Sequence, residues 1–285
     1  MYKGTIVLEG GATRGIFTSG VLDKLMEEDI YLSDVIGVSA GSCNAVDYVS
    51  RQISRTKECM VNDYPDCDYI NGPKKIVKEK SLLDMDLVFD KYPNKVIPFD
   101  FDTFFNSDMK CELVTTNCIT GKAEYMTEKS DRQRLMDIAR ASSSIPILTP
   151  MVSVDGVPYL DGGLADSIPT QHAVESGNEK IVVVLTRNRG YRKKPLSKPM
   201  QEFYRNAFPE YPELVKAIIR RTPYYNRSLN ITESLERQGK IFVIRPTVPP
   251  VGRLERNGNE LLEFYKHGYK LMEDRLDELK EYLNS

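Results

Sequence analysis

The chain has 285 residues, 41% hydrophobic and 28% charged, which is enough apolar material for a sizeable core and far from the composition of a disordered chain. Lys and Arg number 39 against 41 Asp and Glu, a net charge of -2 that argues against nucleic acid as a partner. Five cysteines, an odd count with no C-x-x-C spacing, argue against both a disulfide framework and a zinc site. The N-terminal apolar run Thr5-Ile6-Val7-Leu8 is too short for a signal peptide core, and Ile181 to Leu185, the longest later run, is far short of a membrane span. A cytoplasmic protein is expected, with five reduced cysteines.

In chain order, Thr5 to Leu8 is a β-rich run broken by Gly10-Gly11, and Val21, Leu22, Leu25 and Met26 form a helical stripe. Val35 to Val38 is a second strand candidate, followed by a helix from Ala40 to Val49. This βαβα opening predicts an α/β fold with a parallel sheet covered on both faces. From about 55 to 108 the pattern is irregular, with Pro65, Pro73, Pro93 and Pro98, and reads as a cap of mixed helix and loop. Cys111 to Thr116 and Ala123 to Met126 suggest a hairpin, and Arg132 to Arg140 a helix ended before Pro146. Val157 to Leu160, Ile181 to Leu185 and Ile241 to Ile244 read as later core strands. The apolar residues at 261, 265, 269, 272, 276, 279 and 283 predict a C-terminal helix.

Gly37-Val38-Ser39-Ala40-Gly41 is a G-x-S-x-G pentapeptide, a pattern that chance alone gives in roughly one chain of this length in ten. Its place between a predicted strand and a predicted helix is what a nucleophile elbow requires, since small neighbours permit the sharp turn that exposes the serine hydroxyl. One βα unit earlier, Glu9-Gly10-Gly11-Ala12-Thr13-Arg14-Gly15 offers free backbone N–H groups at a helix start, suited to a phosphate or to a developing oxyanion. A dinucleotide site would need an acid at the end of the second strand, where Val38-Ser39-Ala40 stands instead. The chain has two histidines. His267 lies within the periodic C-terminal helix and His172 in the first turn of a short one, so neither context suits a catalytic base. Asp161, at the end of a short apolar strand and followed by Gly162-Gly163, is the better candidate, with a plain Asp-Gly turn as its rival reading.

The three segments, Gly10 to Gly15, Gly37 to Gly41 and Asp161 to Gly163, in that order, resemble the bacterial branch of the patatin-like phospholipases. Ala141-Ser142-Ser143-Ser144-Ile145-Pro146 and the stretch from Asp166 to Arg187 are similar to that family as well. The resemblance covers roughly residues 1 to 190. It implies a three-layer α/β/α fold with a mostly parallel central sheet. It also implies a Ser-Asp dyad and hydrolysis of acyl esters of lipids, of the phospholipase A, lysophospholipase or carboxylesterase type, without calcium, other metal or cofactor.

Carried onto this chain, the resemblance makes Ser39 the nucleophile, Asp161 the base, and the N–H groups of Gly10, Gly11 and Ala12 the oxyanion hole. Gly37 and Gly41 shape the elbow, and Arg14, Gly162 and Gly163 are candidates for substrate or loop support. Two departures stand out: Ala12 replaces a third glycine, and Glu9 replaces the family's usual aspartate. Residues 1–190 are thus expected to form the acylhydrolase domain, and residues 191–285 a C-terminal extension, largely helical with one late strand. A transacylase on the same dyad and a weakly catalytic lipid-binding protein are the other readings open at this point. Residues 187 to 198 carry Arg187, Arg189, Arg192, Lys193, Lys194 and Lys198 with no acid, a candidate peripheral contact with anionic lipid at the inner membrane face.

Overall fold

The computed structural model describes residues 1–61, 64, 67–72, 76 and 81–285. Pro65 and Pro73 of the irregular stretch lie outside the described residues. In chain order the elements are β1 (Tyr2–Leu8), α1 (Gly15–Glu27), β2 (Leu32–Val38), α2 (Ala40–Val49) and α3 (Arg55–Met60). A π-helical segment (Leu87–Val96) and α4 (Phe101–Phe105) follow, then β3 (Lys110–Asn117), β4 (Ala123–Met126), α5 (Arg132–Ser142), β5 (Val152–Val154) and β6 (Val157–Asp161). The rest comprises α6 (Thr170–Glu175), β7 (Ile181–Val184), α7 (Lys198–Ala207), α8 (Pro212–Arg237), β8 (Phe242–Ile244), α9 (Gly258–Asp274) and α10 (Leu276–Asn284).

The strands form one eight-stranded sheet in the order β5-β6-β3-β2-β1-β7-β8, with β4 also paired to β3. The pairs β1–β2, β1–β7, β2–β3 and β7–β8 are parallel, while β4, β5 and β6 pair antiparallel. The parallel centre follows from its residues: β1 from Thr5 onward and all of β7 are continuous runs of β-branched and aliphatic side chains, which only a strand buried on both faces can use. Alternation divides them between two cores. Ile6, Leu8, Val35 and Val182 join the α1, α2 and α9 side, whereas Val7, Ile36, Val183 and Leu185 join the α8 side with Tyr225 and Leu229. The result is a three-layer α/β/α arrangement around a mostly parallel sheet.

The expected C-terminal helix is two helices, α9 and α10, meeting at Arg275, whose guanidinium donates to the Val243 carbonyl at 2.7 Å. α9 crosses α1 at very close range: a Cβ on Gly20 would fall 2.2 Å from the Tyr265 carbonyl oxygen, and one on Gly268 2.2 Å from that of Phe17. Both contacts exclude any larger residue. β8 extends the sheet beside β7, so residues after 190 supply one edge strand and cover both faces of the sheet. Among the described residues no helix is long and apolar enough to cross a membrane.

Candidate active site

The geometry of the site begins with β3, which has two partners along one edge. Its first half pairs with β2 as far as Val38↔Val114, and its second half with β6 from Thr115↔Asp161, while β4 lines the opposite edge. β2 and β6 therefore approach each other head to head along the same neighbour, and their ends, Ser39 and Asp161, abut. Ser39 Oγ donates to Asp161 Oδ2 at 2.6 Å. Both residues are buried, at 8% and 5% exposure, so the bond is shielded from bulk water and strengthened accordingly.

Ser39 has φ 56° and ψ -126°, a strained conformation for a residue with a side chain, of the kind that costs about 1–3 kcal/mol. Its surroundings hold it there. The Ser39 carbonyl accepts the Ser42 N–H at 2.7 Å, and the Ser39 N–H donates to Ser142 Oγ at 3.0 Å. Ser142 Oγ in turn donates to the Val114 carbonyl at 2.6 Å and lies 2.7 Å from Ser42 Oγ, which donates to Gly37 O at 2.9 Å. Gly37 closes β2 and Gly41 stands in the first turn of α2. A Cβ on Gly37 would meet the Gly41 carbonyl oxygen at 2.5 Å.

On the other side, Asp161 Oδ1 accepts the Gly163 N–H at 2.7 Å, and the Asp161 N–H donates to Ser144 O at 2.7 Å. Thr116 Oγ1 donates to the Asp161 carbonyl at 2.9 Å. Gly162-Gly163 forms a 3-10 turn, and Arg221 from α8 donates through Nε to the Gly163 carbonyl at 2.7 Å. Asp161 is thus fixed through its carboxylate by Ser39 and Gly163, and through its backbone by Ser144 and Thr116.

The glycine loop after β1 completes the cleft. A Cβ on Gly10 would lie 2.7 Å from both the Ser39 Cβ and the Val38 carbonyl oxygen, so only glycine lets the backbone pass the serine this closely. Among the described residues no acceptor takes the N–H of Gly10 or Gly11, and both line the cleft beside Ser39. Ala12 has φ 52°, the left-handed conformation, which costs a residue bearing a Cβ about 1 kcal/mol or more relative to glycine. Glu9 is buried and acts as a tie: Oε2 accepts the Thr186 N–H at 2.6 Å, and Oε1 accepts the Tyr225 hydroxyl at 2.7 Å. Burial, followed by the Glu9 charge, pushes the Tyr225 phenol far up, so it remains a donor.

Two cavities meet at Ser39. One is apolar, walled by Cys43, Val46, Met60, Phe89 and Met136 from α2, α3, the π-helical segment and α5, and by Leu83 from the loop before that segment. Burial pushes the Cys43 thiol there up to about 11, leaving it an inert apolar group. The other cavity is polar and contains Gly10, Gly11, Ser39 and Asp161. Neither histidine lines either one. His172 Nε2 lies 3.2 Å from Glu112 and its ring stacks on Tyr125, while His267 accepts the Thr247 N–H.

Part of the basic stretch 187 to 198 is already paired or turned inward. Arg189 pairs with Glu236 at 2.7 Å and Arg192 with Glu233 at 2.7 Å, both on α8. Lys193 turns inward over the Tyr225 ring at 3.4 Å and lines the polar cavity, as do Arg187 and Arg14. Contributors that sequence reasoning missed are Ser142, Tyr225, Arg221 and Arg253. For Ser142 the serine-rich run before Pro146 was an available signal. The other three carry no local signal, because only packing brings α8 and the segment after β8 to the cleft.

A model described as "Patatin-like phospholipase" matches residues 6–174, and a second, "Domain of unknown function (DUF6363)", matches residues 211–284. Over 188 residues the chain is 30% identical to the uncharacterized protein YjjU of Escherichia coli (strain K12), covering 64% of this chain and 51% of that one. It is 25% identical over 296 residues to lysophospholipase NTE1 of Candida albicans (strain SC5314 / ATCC MYA-2876), covering 94% of this chain and 20% of the fungal protein. The chain thus spans about half the length of the first relative and a fifth of the second. Among solved structures, VipD from Legionella pneumophila aligns with a TM-score of 0.49 and 14% identity over 97% of this chain and 67% of that one. With its family model matched along more than half of its length, this chain belongs to the patatin-like phospholipase family.

Proposed function

We propose that the protein is a serine acylhydrolase that cleaves acyl esters of lipids through Ser39 and Asp161. The observation that carries this reading is the 2.6 Å hydrogen bond between the Ser39 hydroxyl and the Asp161 carboxylate, made on a strained turn where an apolar and a polar cavity join. Family membership and the lysophospholipase name of the Candida relative support an acyl ester of a lipid as the substrate. The cytoplasm, and encounter with lipid at a membrane surface, belong to the same proposal.

In this mechanism the acyl chain enters the apolar cavity and the ester carbonyl lies against the glycine loop. Ser39 Oγ attacks the carbonyl carbon while Asp161 Oδ2 takes the hydroxyl proton. The oxyanion is held by the N–H groups of Gly10, Gly11 and Ala12. Collapse of the tetrahedral intermediate expels the alcohol, which recovers the proton from Asp161 and leaves an acyl-serine. Water, deprotonated by Asp161, then attacks the acyl-serine; as the acyl–Oγ bond breaks, Ser39 Oγ recovers that proton from Asp161 and the fatty acid leaves. Carboxylates are weak bases, so fixed N–H donors aimed at the oxyanion supply the larger share of the rate.

The test is substitution with covalent labelling. Ser39→Ala should abolish both ester hydrolysis and labelling by an active-site phosphonate while leaving the fold intact. Asp161→Asn should lose on the order of a hundredfold or more. His172→Ala and His267→Ala should keep most activity. Labelling at a serine other than Ser39, or a histidine variant as inactive as Ser39→Ala, would overturn the assignment.

A further inference from the structure

The polar cavity beside Ser39 holds five cationic side chains, Arg14, Arg187, Lys193, Arg221 and Arg253, and two carboxylates, Glu9 and Asp161. Both carboxylates are already engaged, Glu9 by Thr186 and Tyr225, Asp161 by Ser39 and Gly163. Among the described residues none of the five cations has a carboxylate oxygen within 4.0 Å. Arg221 spends only its Nε on a carbonyl, while Arg187 and Lys193 lie over the rings of Tyr191 and Tyr225. Arg14 is 3% exposed, and its Nε has no partner. Elsewhere the arginines of the same region are paired, as with Arg189, Arg192 and Arg245 on Glu236 and Glu233. Five cations against two carboxylates leave an excess of positive charge in a partly desolvated cleft, and their mutual repulsion is relieved by a bound anion. Guanidinium groups match the geometry of phosphate oxygens.

These cations come from separate parts of the chain. Arg14 follows β1, Arg187 and Lys193 follow β7, Arg221 belongs to α8, and Arg253 lies after β8. Arg221, Tyr225 and Arg253 fall within residues 211–284, the part matched by the model of unknown function. We propose that this C-terminal segment recognises the headgroup: with Arg14, Arg187 and Lys193 it builds an anion site for a phosphate carried on the same molecule as the ester presented to Ser39. The inference rests on the hydrolase reading above and deepens it, selecting acyl esters of a glycerol phosphate over neutral glycerides. Ser39 and Arg253 border both cavities, so a single substrate can place its acyl chain in one and its phosphate in the other.

The test combines binding with selectivity on the full chain. Calorimetric titration with glycerol 3-phosphate should show binding by the parent and by Ser39→Ala. Binding should weaken about tenfold to a hundredfold in the Arg187→Gln/Arg253→Gln double variant, the usual scale for lost hydrogen bonds to a charged group. Arg220→Gln, an exposed neighbour on α8 outside the cavity, should bind like the parent. In turnover the parent should prefer a 1-acyl-glycerol 3-phosphate to the neutral monoacylglycerol of equal chain length, and the double variant should lose that preference mainly through KM. If the double variant folds poorly, Arg253→Gln alone, at an exposed loop residue, should shift both readouts the same way. No binding by the parent, equal binding by the Gln variants, or equal kcat/KM on the two lipids would overturn the proposal. Inorganic phosphate bound more tightly than both phosphate esters would assign the site to a free anion and overturn the headgroup role. A parent that binds glycerol 3-phosphate but cleaves no ester would sink the hydrolase reading while the anion site stands.

Discussion

Ser142 offers a sharp test of how the elbow is held. Its hydroxyl is fully buried, takes the Ser39 N–H at 3.0 Å and gives its proton to the Val114 carbonyl at 2.6 Å. Ser142→Ala leaves both groups without that partner in a place water does not reach. A buried polar group left unpaired costs about 1–3 kcal/mol, so the two together are expected to destabilise the protein by roughly 2–4 kcal/mol. For a chain of this size that corresponds to a fall of about 5–10 °C in Tm. The freed N–H belongs to the strained residue itself, so Ser39 should also relax from its φ of 56°. A displacement of about 1 Å at a reacting atom costs on the order of a hundredfold in rate, so kcat should drop at least about tenfold. Ser144→Ala is the matched control, because its hydroxyl donates only to the Arg140 carbonyl one turn back, and it should cost less than about 1 kcal/mol. Thermal unfolding followed by circular dichroism, with ester turnover on the same samples, reads both effects. A Ser142→Ala variant that melts and turns over like the parent would refute the claim that this network maintains the elbow.

Three further outcomes are expected. Burial, then the neighbouring Arg221 charge, lowers the Lys193 ammonium well below its ordinary value, so in the empty cavity it gives up its proton at lower pH than in the unfolded chain. A bound anion favours the charged form, so titration with sulfate between the two pKa values should take up protons; calorimetry in buffers of different ionisation enthalpy reads this, and uptake that persists in Lys193→Met would contradict it. Gly268→Val should force α1 and α9 apart and destabilise by about 1–3 kcal/mol or more in urea unfolding, whereas Gly258→Ala, where a Cβ finds its nearest neighbour at 3.6 Å, should be close to neutral. Tyr225→Phe removes a donor from the buried Glu9 carboxylate, a loss of about 1.5–3 kcal/mol that urea unfolding should register, and unchanged stability would show that Glu9 is not a tie.

The parts of the fold written in short-range pattern were legible. Runs such as Thr5 to Leu8 and Ile181 to Val184, bounded by glycine or polar residues, show their strands directly because strand burial imposes composition on consecutive residues. The sharp turn at Ser39 was likewise signalled by its glycines. The meeting of Ser39 with Asp161 depends instead on β3 being shared end to end by β2 and β6, and register of that kind leaves no mark in either strand. The break at Arg275 was hidden for a related reason: Met272, Leu276 and Leu279 keep helical spacing across it, so the stripe continues although the helix does not. Residues 187 to 198 read as a basic run open to anionic lipid because Glu233 and Glu236, which neutralise Arg192 and Arg189, lie far along the chain on α8. Attraction between distant charges is a property of packing, and a sequence window cannot register it.

The crossing of α1 by α9 bears on how the molecule is made. α1 follows directly on the glycine loop, yet the face it presents to Tyr265 and Gly268 stays uncovered until residues as far along as Gly268 have left the ribosome. β1 waits as well, since its second neighbour β7 is followed in the sheet only by β8. Contacts that join the first thirty residues to the last thirty make the topology non-local, and non-local topologies close slowly and late. A fragment ended after Glu175 would carry Ser39 and Asp161 but expose the apolar faces of α1 and β1, which favours aggregation. Synthesis itself therefore delays the packing of α1 until α9 docks.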